Sequence, residues 1–174
     1  MNARWIASVI FTVASLSSPV SLEANAYQDF REMQEAHKLL LRLRKVSATM
    51  ATLEVVQLIQ DLKSFAEKKC RHPISYEELY GQFFDHVAEK NLPVTPEQFE
   101  PLYQLIIGAE YSGEIERAVD ALPFQLVMGY SLVFAAPLVA EVGASRPSLY
   151  APCYTLTLWM LQQGDEWILE GRLG

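Results

Sequence analysis

A run of twenty uncharged residues, Ala121 to Ala140 (ALPFQLVMGYSLVFAAPLVA), stands between Asp120 and Glu141. As a helix it rises about 30 Å, the thickness of a bilayer's hydrocarbon core. Two environments accept such a segment: lipid, or the interior of a folded domain. Gln125 and Ser131 dilute its apolarity, and acidic residues mark its ends where Arg, Lys or Trp anchors suit a span. The leading expectation is a buried helix, or a helix pair broken near Pro137, over 121–142. Membrane association through residues 121–140 is the alternative.

The N-terminus supplies an address. A short segment with Arg4 precedes the apolar core IASVIFTVASL, the pattern of a cleaved export signal. Ala24-Asn25-Ala26 offers small residues at the two positions a signal peptidase reads, so residues 1–26 are expected to be removed and Tyr27 to begin the mature chain. The expected location is periplasmic or secreted. An uncleaved anchor is the alternative, since Ile6 to Leu22 is nearly long enough to span. Export would also permit a disulfide. Cys70 and Cys153 are the only cysteines, and a bridge between them closes a loop of roughly eighty residues, worth about 4 kcal/mol on the chain-entropy argument.

Charge is concentrated before residue 111, which divides the mature chain into a helical region 27–110 and an apolar region 111–174, packed together as one domain. In the first, LEVVQLIQDLKSFAEKKC places Val55, Leu58, Ile59, Leu62, Phe65 and Ala66 on one helical face. A break is expected at SATMAT. Two further helices carry explicit start signals. Ser75 is the N-cap of one, with Glu78 at N3 and Ile74 and Leu79 as a hydrophobic staple. Thr95 caps the other, with Pro96 at N1, Gln98 at N3 and Val94 stapling to Phe99. The short connector EKNLP makes these two a helical hairpin whose aromatic faces meet. EKNLPVTPEQFE lacks the alternating oxygen ligands of a calcium loop, which excludes one. Ser112-Gly113-Glu114 opens another short helix.

The last stretch reads differently. Tyr154, Leu156, Leu158 and Met160 alternate with Thr155, Thr157 and Trp159, then Gly164-Asp165 gives a turn signal before WILEGRLG. A C-terminal β-hairpin is therefore expected, giving a mainly α chain over residues 28–120 that is α+β overall. The alternative is all-α, with a membrane-embedded C-terminal hairpin.

Chemical signatures are few. There is no GxSxG, HExxH, phosphate-cradling loop or dinucleotide fingerprint. Cys70-Arg71-His72 offers two candidate metal ligands, short of a zinc site. Asp85 and His86 are adjacent on a helix and do not face one another. No catalytic residue, cofactor or metal is expected. A net charge of −7 opposes general nucleic-acid binding. The leading expectation is a non-enzymatic, exported, envelope-associated or secreted protein acting on a protein partner. A periplasmic carrier, with Tyr80, Phe83, Phe84 and Tyr103 lining a pocket for an apolar ligand or lipid, is the second expectation. An integral membrane protein with an extracytoplasmic helical head is the third.

Overall fold

The computed structural model describes residues 19–44, 52–108 and 113–173. Among these residues seven α-helices follow in order: α1 Pro19–Arg44, α2 Thr52–Cys70, α3 Tyr76–Glu89, α4 Pro96–Ile106, α5 Gly113–Asp120, α6 Phe124–Ser145 and α7 Tyr150–Leu173. A 3-10 turn, Pro147–Leu149, links the last two. Among the described residues there is no strand, and the expected β-hairpin is absent. Residues 47–51 of the SATMAT break and most of the export segment lie outside the described residues, as does Ser112, while Thr52 opens α2.

Local start signals work as the residues imply. The Ser75 hydroxyl accepts the Glu78 backbone N–H at 3.0 Å. At Thr95 the capping box is complete: Gln98 N–H donates to Thr95 Oγ1 at 3.3 Å, and Thr95 N–H donates to Gln98 Oε1 at 3.0 Å. Each cap satisfies donors that the helix start leaves unpaired. Both staple pairs, Ile74 with Leu79 and Val94 with Phe99, are buried.

The uncharged run becomes α6, and it is the centre of the domain. The helix is continuous through Pro137 rather than broken into a pair. All residues from Val127 to Ala136 are buried, with Leu138, Val139, Val142 and Gly143. By length and composition α6 could cross a membrane, yet 78% of its most apolar window is already buried inside the protein. Its cover comes from α7 along its length, from α2, and from α3. That accounts for a helix without a polar face: neighbours occupy nearly every side of it.

The C-terminal hairpin is α-helical, and the reason lies in its glycines. α7 runs antiparallel to α6 and buries Cys153, Leu156, Met160, Gly164, Ile168 and Gly171, a stripe recurring every three or four residues. Leu156 and Met160 satisfy both an alternating and a helical pattern, so the alternation misleads. Gly164 hides the stripe because it has no apolar side chain to count. Its helix-propensity cost of about 1 kcal/mol is offset by close helix contact. A Cβ on Gly164 would lie 2.7 Å from Val133 Cγ2 and 3.0 Å from the Gly129 carbonyl oxygen. At the connected end, a Cβ on Gly143 would lie 2.7 Å from Cys153 Cβ. The supposed Gly-Asp turn is mid-helix, and Asp165 accepts a hydrogen bond from His86 on α3.

Candidate functional site

The aromatic residues proposed as pocket walls are brought together, but they pack on each other. Tyr80 lies 4.9 Å from Phe84 and 4.7 Å from Tyr103 between ring centroids. Phe99 stacks on Phe83 at 4.2 Å and meets Tyr130 and Phe134 from α6. These rings fill the space between α3, α4 and α6. Burial raises the Tyr130 hydroxyl above its ordinary pKa, since the phenolate would be desolvated there. An apolar cavity lies elsewhere, lined by residues including Leu39, Leu43, Phe65, Val142, Cys153 and Leu156, with a volume of about 30 Å³. Small-molecule sites occupy about 300–1,000 Å³.

The two cysteines are free thiols and not at bonding distance; no disulfide joins them. The candidate bridge fails on placement. Cys153 points from α7 onto Gly143, whereas Cys70 ends α2 with its Sγ 3.4 Å from Ser145 Oγ. Burial pushes the Cys153 thiol up to about 11 from 9.0. A thiol reagent without reductant is expected to modify Cys70 in the native protein and both cysteines in denaturant. The raised pKa has a stability consequence. Above pH about 9 an unfolded Cys153 ionises while the folded one stays protonated. Its contribution is thus fully present below pH about 9 and lost as pH rises through about 11. Urea midpoints are expected to fall over that window, and less steeply in Cys153→Ala.

Cys70 also belongs to a cluster at one end of the bundle. Arg71 adopts a left-handed φ of 58°, the usual way a helix ends, and the turn brings His72 to the side of Cys70. Glu141 arrives from α6. Ligand-type atoms of Cys70, His72 and Glu141 all lie within 4.8 Å of one another. Ser145 Oγ–H donates to the Val142 carbonyl at 3.1 Å, so that hydroxyl accepts from the Cys70 thiol. His72 Nδ1 lies 3.0 Å from the Pro73 carbonyl. A carbonyl only accepts, so Nδ1–H is the donor here, and in the neutral ring Nε2 is the nitrogen with the lone pair. Beside this cluster, Glu32 Oε1 of α1 lies 3.5 Å from Lys69 Nζ and 3.3 Å from an Arg146 guanidinium nitrogen. Glu32 and Lys69 are both buried, and such pairing is what makes buried charge tolerable. Sequence reading found Cys70 and His72 but missed Glu141, because nothing local announces that α6 passes beside the end of α2.

The structure likewise pairs His86 with Asp165 on α7, Nε2 to Oδ1 at 2.7 Å, rather than with its neighbour Asp85. The cleavage candidates Ala24, Ala26 and Tyr27 fall within α1, whose backbone is helical there. Tyr27 is exposed and has Arg31 over its ring at 5.8 Å.

Comparison with protein-family models, curated proteins and solved structures found no match. The outward face of α7 carries four of the eight exposed large apolar side chains among the described residues: Tyr150 and Tyr154 are 57% and 54% exposed, with Leu158 and Leu169 at 42% and 47%. Tyr150 and Tyr154 stack with centroids 6.0 Å apart and planes 11° from parallel. Four-residue spacing aligns Tyr150, Tyr154 and Leu158 in one row.

Proposed function

We propose that this chain is an exported, non-enzymatic helical protein that binds a partner protein through the outer face of α7. The observation that carries the reading is the Tyr150–Tyr154–Leu158 row. These side chains present amphipathic aromatic and aliphatic area on a rigid helix whose opposite face is locked against α6. Tyr is favoured at protein interfaces because its body is apolar while its hydroxyl stays solvated. Anchors spaced by one helical turn match a helix laid alongside, so the partner surface is taken to be helical. The packing of Tyr80, Phe83, Phe84 and Tyr103 against one another supports a protein partner over an apolar ligand held among those rings. Burial of α6 supports its role as a core helix over a membrane span. Export rests on the N-terminal apolar segment and the Ala24-Asn25-Ala26 site.

The test places a photo-crosslinking residue at Tyr154 and, as a control face, at Gln82 in the producing cell. A discrete adduct from position 154 alone is expected, lost in the Tyr150→Glu/Leu158→Glu double variant with helicity unchanged. No adduct at 154, or the same adducts at both positions, overturns the interface. N-terminal sequencing of the recovered protein is expected to begin at Tyr27; retention of residues 1–26 overturns cleavage.

A further inference from the structure

We infer that Cys70, His72 and Glu141 form a binding site for a zinc-class divalent transition metal ion. The site joins the end of α2 to α6. The donor set is a thiolate, an imidazole and a carboxylate, a combination that suits Zn²⁺ and disfavours Mg²⁺ and Ca²⁺, which take oxygen ligands. The ligand atoms lie within 4.8 Å of one another. Around tetrahedral zinc, with bonds of about 2.0–2.3 Å, ligand atoms sit roughly 3.5 Å apart. Closure then needs about 1 Å of side-chain movement, available to a half-buried Cys70 and an exposed His72 at a helix end.

A second observation is independent of that proximity. The Nδ1–H bond to the Pro73 carbonyl makes Nε2 the nitrogen that the neutral ring offers to a metal, the hydrogen-bonded arrangement that orients metal-binding histidines. Ser145 plays a matching part at sulfur. Its oxygen accepts a hydrogen bond from the thiol in the metal-free protein, and its hydroxyl can rotate from the Val142 carbonyl to donate to the thiolate once the metal is bound. Binding displaces one proton from Cys70 to solvent, and water takes the fourth position. Held this way, the loop after α2 is pinned to the central helix at the same end where Glu32, Lys69 and Arg146 meet.

The test uses the whole, tag-free, reduced protein and the metal ion alone. Titration against a chromogenic chelator is expected to show one Zn²⁺ bound per chain. Co²⁺ is expected to give a thiolate-to-cobalt charge-transfer band. Cys70→Ser abolishes the band, Glu141→Gln and His72→Ala weaken binding at least tenfold, and Cys153→Ser changes neither. In unaltered protein, Zn²⁺ is expected to slow alkylation of Cys70. Absence of stoichiometric binding, a cobalt–thiolate band that survives Cys70→Ser, or unprotected Cys70 overturns the site.

Discussion

Phe99→Ala is expected to destabilise the protein by about 4 kcal/mol. Phe99 is fully buried, at 0% exposure. Its ring stacks on Phe83 at 4.2 Å and Tyr103 at 5.9 Å, and it meets Phe84 and Tyr130 edge-on. Truncation removes the transfer free energy of the ring and leaves a void that α3, α4 and α6 cannot all close. Aromatic pairs add about 0.5–1.5 kcal/mol beyond area burial, so losing several at once places the effect high in the range for such substitutions. Domains of this size are stable by about 5–15 kcal/mol, so a large fraction would go. Urea unfolding followed by circular dichroism reads it directly. Tyr150→Ala, at an exposed position, is the comparison and should shift stability by less than about 0.5 kcal/mol. A loss under about 1 kcal/mol for Phe99→Ala would mean that the ring cluster is loosely packed.

The second large effect is a pair of identical substitutions with opposite signs. At Gly129 a Cβ would lie 2.8 Å from Ile168 Cγ1, 2.9 Å from the Gly164 carbonyl oxygen and 3.0 Å from the Ile168 nitrogen. Two of those three atoms are backbone, so rotating a side chain cannot relieve the overlap and the helices must separate. Gly129→Ala is expected to lose about 2 kcal/mol net, overpacking outweighing the helix-propensity gain. The midpoint of thermal unfolding should fall by roughly 4–8 °C. Gly81, also within a helix, has nothing within 4 Å of the same added atom. Gly81→Ala should therefore stabilise by about 0.5–1 kcal/mol. If both substitutions raise the midpoint, the close crossing of α6 and α7 does not exist.

Both effects reach back to how much of the fold the residues announce. Phe99 was legible as core because its own helix start names it: Val94, Thr95, Pro96 and Gln98 set the helix and its staple within five positions. Ser75 and Leu79 act the same way. Gly129 and Gly164 were not legible, since a glycine has the same local signature whether it faces a partner helix or solvent. Glu141 reads as a charge flanking an apolar run, and its nearness to Cys70 and His72 appears only when α2 and α6 lie side by side. Cys70 and Cys153 were the one pairing the sequence allows, yet α7 turns Cys153 inward onto Gly143.

What the residues determined alone was whatever acts over one helical turn: caps, staples, helix positions in 52–107, and the uncharged run's need to be hidden from water. Partners in those interactions are at most a few positions apart, so the chain carries both halves of each. Tertiary structure decided the rest. It chose helix over strand for residues 150–173, because the Gly129–Gly164 crossing lets two backbones touch and offsets the cost of a glycine inside a helix. It chose the cover of the uncharged run as well, since an apolar face specifies only that something must lie against it.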